Sequence, residues 1–137
     1  MSSAFIEDGP IVSTKGRAKS EREFEAQGEA LAPKLPLVVL VDGGSASASE
    51  IVTGALRDRG RATVVGTRTF GKGVFQEVKR LSNGGALSLT VGSYYLPSGE
   101  NISDKGIAPQ VKARDLPRTR RDEALDAALD TLRAKAG

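Results

Sequence analysis

The sequence predicts an α/β fold, a mixed sheet with flanking helices, and three observations carry that prediction. The β-branched and leucine run "LVVLV" at residues 37–41 precedes a stretch with helical spacing, and a second apolar run, "RATVVG", follows at 61–66. Strand, helix and strand in that order form a βαβ unit with parallel strands. Next, "GVFQEVKRL" and "GALSLTVGSYYL" flank the turn residues "SNGG", the signature of an antiparallel hairpin. Finally, 137 residues with 39% apolar and 27% charged side chains suit one domain around one modest core.

Taken in order, residues 1–18 read as two short extended pieces, "AFIE" and "PIVSTK", around the turn signal Asp8-Gly9-Pro10. Residues 19–33, "KSEREFEAQGEALAP", are charged, poorly periodic and broken by Gly28 and Pro33. They read as a surface excursion with room for one helical turn, so 1–35 is a peripheral hairpin and excursion. The 37–41 run is continuous, the pattern of a strand buried on both faces. After Gly43-Gly44, the segment "SASEIVTGALRDRG" sets Ile51, Val52, Ala55 and Leu56 at helical spacing, and Gly60 is a natural stop. Beyond the hairpin, "PSGENISDKGIAPQV" is an irregular return with room for a late short strand. These pieces make 36–112 the core. From Arg118 to Ala136 the chain reads as a helix with Leu125, Ala128, Leu129 and Leu132 on one stripe, within a terminal segment 113–137.

Composition narrows the function. The net charge of +3, from 20 basic and 17 acidic residues, and an aromatic content of 4% argue against nucleic acid as a partner. The absence of cysteine removes disulfides, thiolate metal sites and a Cys nucleophile. The absence of histidine removes the usual general base, and a zinc site would have to be all carboxylate; no metal or organic cofactor is expected. No apolar run is long enough to span a membrane, and "MSSAFIEDGP" lacks the basic-then-apolar pattern of a secretory signal.

The stretch "VDGGSASASEI", residues 41–51, holds serines at 45, 47 and 49. Ser47-Ala48-Ser49-Glu50 fits a capping box, which accounts for a Ser and a Glu without chemistry. A strand that ends in two glycines and opens a helix also aims free amides at any oxyanion formed beside a serine. The segment matches neither a P-loop nor a dinucleotide fingerprint, which argues against a phosphate cradle.

A serine nucleophile needs a base, and without histidine the candidates are Asp, Glu and Lys. Lys72 stands apart in "RTFGKGVFQ", between two glycines and near Phe70, Val74 and Phe75. Desolvation by such neighbours is how a lysine comes to lose its proton near neutral pH. Gln76 follows four residues later. Strand alternation puts Lys72, Val74 and Gln76 on one face, where a neutral carboxamide can hold the amine without favouring its charged form. The bland readings are a snorkelling strand lysine and a solvent-facing glutamine.

At these residues the chain resembles the carboxy-terminal processing, or tail-specific, proteases. The resemblance covers "PLVVLVDGGSASASEIVTGALRDRGRATVVGTRTFGKGVFQ" (36–76), continues through "LTVGSYYLPSGENISDKGIAP" (89–109) and reaches back to "FIEDGPIVSTKGR" (5–17). It implies a crotonase-like α/β core, with Ser47 as nucleophile, Lys72 as general base, Gln76 orienting the lysine and the Ala48 amide forming half of the oxyanion hole. The implied activity is hydrolysis of peptide bonds in unfolded or C-terminally exposed polypeptides through an acyl-enzyme. It further implies an enzyme of the bacterial envelope or periplasm, with a PDZ module and an earlier core segment that these residues do not contain. The chain thus reads as the C-terminal part of a protease core, and the open sheet edge this leaves is expected to drive self-association. Two alternatives stay open: a catalytically silent fragment, and a non-catalytic module for apolar ligands or peptides, since the same fold resembles vertebrate retinoid-binding modules. Asp42 and Gln110 stand where the family often has Asn and Asp.

Overall fold

The computed structural model describes residues 1–136. After a 3-10 turn at Ser2–Ala4 come β1 (Pro10–Gly16), β2 (Lys19–Glu25), β3 (Val38–Val41), α1 (Ala48–Asp58), β4 (Thr63–Gly66), β5 (Val74–Arg80), β6 (Ala86–Tyr95), β7 (Val111–Lys112) and α2 (Glu123–Ala136). The strands divide between two sheets. One is antiparallel with order β2-β1-β6-β5; the other is parallel with order β3-β4-β7.

The βαβ unit forms where the sequence predicts it. β3 and β4 pair in parallel from Val38 opposite Thr63 to Val41 opposite Gly66. The central strand β4 buries Val64 and Val65 completely. β3 departs from the doubly buried pattern: it is an edge strand, and Leu40 keeps 42% of its surface exposed. Leu37 and Val39 pack with α1, whereas Leu40 points to the opposite face, which α2 covers only in part.

α1 packs against β1 of the antiparallel sheet and β4 of the parallel one, and so ties the two together. Ala55 and Leu56 of α1 join Ile6 and Ala62 in one core cluster; Leu96, Ile102 and Ile107 form a second. Burying side chains the size of Leu56 or Ile107 contributes about 1.5–3 kcal/mol each. At the far end of α1, Arg57 donates to Asp58 at 2.8 Å and to Glu100 at 2.9 Å, fastening the helix to the turn after β6. Burial alone would lower the Arg57 guanidinium, but those two carboxylates outweigh it and raise it further.

Three elements differ from the sequence reading. Residues 19–25 are a strand paired with β1, not a surface excursion. This edge strand is charged and exposed nearly throughout, so no apolar alternation marks it. "AFIE" is not extended, because Ala4 ends the 3-10 turn and Ile6 plugs into the α1 cluster. The last helix starts five residues late, at Glu123, with the Asp122 carboxylate accepting the Leu125 amide at 2.7 Å as its N-cap.

Candidate active site

The turn after β3 is built around Asp42. Its Oδ1 accepts the Gly44 amide at 2.9 Å, the Ser45 amide at 3.0 Å and the Ser45 hydroxyl at 3.1 Å. Ser45 is therefore committed to the turn. Ser49 lies within the first turn of α1 and is exposed. Ser47 is different. It is the N-cap, and its backbone sits at φ 56 and ψ −115, a left-handed conformation that a side chain disfavours. Holding such a residue costs on the order of 1–3 kcal/mol and requires surroundings that enforce it. The backbone thus distinguishes Ser47 from its two neighbours, which the sequence spacing alone does not.

The enforcing group is Glu50. Its side chain is fully buried, and its carboxylate accepts four hydrogen bonds. Oε2 accepts the Ser47 amide at 2.9 Å and the Lys72 amide at 2.9 Å. Oε1 accepts the Thr69 hydroxyl at 2.5 Å and the Gly71 amide at 2.7 Å. One oxygen atom therefore links the backbones of Ser47 and Lys72, whose nitrogens are no farther apart than two such bonds laid end to end. The capping box predicts only the Ser47 contact. Its reciprocal half brings the Ser47 hydroxyl to the Glu50 amide without closing a well-formed side-chain hydrogen bond.

The Lys72 loop is fixed from its other side as well. Thr69 Oγ1 accepts the Ile107 amide at 2.7 Å, the Asp104 amide donates to the Gly71 carbonyl at 3.0 Å, and Phe70 N donates to the Ser45 carbonyl at 3.0 Å. Both glycines beside Lys72 are at close approaches. A Cβ on Gly71, where φ is 93, would lie 2.8 Å from the Gly106 nitrogen, and one on Gly73 would lie 2.5 Å from the Ser103 nitrogen. The side chain of Lys72 is exposed, and Phe70 keeps 67% of its surface in water, so the described residues do not supply the expected apolar cover.

Lys72 also precedes β5, which starts at Val74. The expected shared face therefore holds for Val74 and Gln76 but does not extend to Lys72 as a strand residue. Gln76 is exposed and engages β6 across the hairpin: Oε1 accepts the Ser88 hydroxyl at 3.3 Å and Nε2 donates to Thr90 Oγ1 at 3.4 Å. No hydrogen bond joins Gln76 to Lys72 among the described residues. Ala48 opens α1, and its amide has no partner among those residues. Of the two departures from the family pattern, Asp42 builds the turn, and Gln110 Oε1 accepts the Val64 amide at 2.9 Å to extend the parallel sheet. Among the described residues, no cluster of three or more potential metal ligands occurs, and no helix is long and apolar enough to cross a membrane.

The family model described as "Peptidase family S41" matches residues 1–113. The chain belongs to peptidase family S41. Among curated S41 relatives, the carboxy-terminal-processing protease of Bartonella bacilliformis is 50% identical over 109 residues, which cover 79% of this chain and 25% of that protein. The carboxyl-terminal-processing protease of Synechocystis is 46% identical over 105 residues, covering 77% and 24%. Among solved structures, the photosystem II D1 C-terminal processing protease superposes with a TM-score of 0.80 at 34% identity, over 96% of this chain and 33% of that one. The chain thus spans about a quarter of the length of the curated S41 relatives it matches.

Proposed function

We propose that this chain carries the Ser–Lys part of a serine endopeptidase that hydrolyses unfolded or C-terminally exposed polypeptides. In this reading Ser47 Oγ attacks the scissile carbonyl carbon while its proton passes to Lys72 Nζ. The Ala48 amide donates to the oxyanion, aided by the positive end of α1. The intermediate then collapses: the C–N bond breaks, Lys72 returns the proton to the leaving amine, and an acyl ester remains on Ser47. Water hydrolyses that ester with Lys72 again taking a proton.

The observation that carries the reading is the single Glu50 oxygen shared by the Ser47 and Lys72 amides, beside a strained Ser47 and an unpartnered Ala48 amide. Two roles require movement. Lys72 must be stripped of water to act as a base, and substrate closing over Lys72 and the exposed Phe70 does this. Gln76 must release Ser88 and Thr90 to reach Lys72; at 3.3 and 3.4 Å those are long, weak bonds. By relation to bacterial and chloroplast processing proteases, the setting is the bacterial envelope or periplasm.

The exposure of Lys72 and the engagement of Gln76 favour one second reading, a catalytically silent chain of the same fold. Incubation with an unstructured polypeptide, followed by mass spectrometry, separates the two. The proteolytic reading predicts cleavage by the wild type that disappears in both Ser47→Ala and Lys72→Ala. Cleavage persisting in Ser47→Ala overturns the assignment, and an inert wild type supports the silent reading.

A further inference from the structure

The positive charge of this chain is concentrated in one stretch. Residues 112–121, "KARDLPRTRR", hold five of the 20 basic side chains and one of the 17 acidic ones. The remainder, with 15 basic and 16 acidic groups, is close to neutral. The stretch runs from the end of β7 toward α2, and all five of its cationic residues are exposed. Arg121 pairs with Asp126 at 2.7 Å, but Lys112, Arg114, Arg118 and Arg120 form no ion pair with any described residue. The one acid, Asp115, is engaged with α2, where its Oδ1 accepts the Ala124 amide at 3.0 Å. Lys112 and Arg114 line a cavity of ≈ 360 Å³ together with Arg68, and no acidic residue stands in its wall.

Leu116, in the middle of the stretch, keeps 58% of its surface exposed. Its backbone is nevertheless held: the amide donates to Glu123 Oε2 at 3.1 Å, and the carbonyl accepts the Thr119 amide at 3.2 Å. Thr119 Oγ1 donates to Glu123 Oε1 at 2.7 Å. Glu123 thus ties the loop to α2, and an apolar side chain stands out among cations with little left to order on binding.

We propose that this surface docks the chain onto an anionic lipid membrane, with Lys112, Arg114, Arg118 and Arg120 on the headgroup phosphates and Leu116 inserted beneath them. Each Lys or Arg near such a surface contributes about fivefold to affinity. Leu116 adds apolar area that the acyl boundary accepts. Nucleic acid offers the same phosphates but no apolar layer, and residues 112–121 contain no aromatic side chain to stack on a base. The surface adjoins the Ser47 turn through backbone, since the Thr67 amide donates to the Val41 carbonyl at 3.0 Å beside that cavity. Docking would bring the candidate site near the headgroups, and the binding itself does not depend on the proteolytic reading.

Co-sedimentation of the full chain with vesicles tests this. Vesicles of phosphatidylcholine alone and of phosphatidylcholine mixed with phosphatidylglycerol are compared at low and high salt. The chain is expected to bind the anionic vesicles, to leave the neutral ones in solution and to dissociate in high salt. Arg114→Gln, Arg118→Gln and Arg120→Gln together should weaken binding roughly a hundredfold, with the circular dichroism melt unchanged. Lys34→Gln, Lys79→Gln and Arg80→Gln remove the same charge elsewhere and should leave binding nearly intact. Leu116→Ser should weaken it on its own. No binding to anionic vesicles, equal binding to neutral ones, or equal loss in both triple variants overturns the proposal. So does binding that Leu116→Ser leaves unchanged, or single-stranded DNA held as tightly as the vesicles, because charge alone would then account for the affinity.

Discussion

Glu50 determines the geometry around it more than any other residue. Four donors converge on a carboxylate with no exposed surface, and they come from the helix start and the Lys72 loop alike. Replacing it with glutamine keeps the shape but turns one acceptor into a donor that faces the donors already there. We expect Glu50→Gln to lose about 2–4 kcal/mol of stability, as two buried partners go unpaired, measured by urea denaturation. In an active chain the same change should lower kcat more than it raises KM, because the alignment of Ser47 and Lys72 is what suffers. Sequence reasoning found the Ser47 contact of Glu50 through the capping spacing. It missed the other three because they arise when a distant loop folds against the helix. The signal that was available is the row Glu50, Thr53 and Gly54 at helical spacing, all of which proves buried.

At the scale of elements, the loop from Thr69 to Gly73 and the loop from Asn101 to Ile107 act as one unit that sets where Lys72 leaves the backbone. Their contact is backbone on backbone, and Gly73 makes it possible. Gly73→Ala would push a methyl group against the Ser103 nitrogen, a rigid neighbour. The expected cost is about 1–3 kcal/mol, read as a lowered urea midpoint, with loop amides shifted in NMR spectra and the α1 core amides unmoved. A variant as stable as wild type, with unshifted loop resonances, would count against this coupling. The elements themselves were legible where apolar pattern and burial agree: β4, α1, β5 and β6 lie close to their predicted places. β2 was not legible, because both of its faces meet water and its residues show no alternation to read. The position of Lys72 ahead of β5 was equally hidden, since alternation says which face a residue shares but not where a strand begins.

At the scale of the whole molecule, the two sheets leave edges at β2, β3, β5 and β7. Charge guards β2, whereas β3 presents the half-exposed Leu40 beside a cavity lined by Val39, Val52 and other small or apolar groups. We therefore propose that the chain self-associates through β3. Light scattering after size exclusion should show dimers or larger species at high concentration, and substituting Leu40→Lys should shift them toward monomer. A clean monomer at high concentration would contradict this. The family and the α/β class were legible from the motifs around Ser47 and Lys72. The exposure of Lys72 and the hairpin bonds of Gln76 were not, because they depend on cross-strand neighbours and packing that the motifs do not encode.

We propose that the Glu50 carboxylate, which accepts both backbone amides, holds Ser47 and Lys72 as a working pair, and acylation of Ser47 is the readout. An activated peptide ester asks less of the oxyanion hole than an amide does, so it should acylate even a slow site. Intact mass followed by peptide mapping should then locate a single acyl group on Ser47, and Lys72→Ala should abolish it. An acyl group on Ser45 or Ser49, an equal yield in Lys72→Ala, or no acylation of the wild type would contradict the claim.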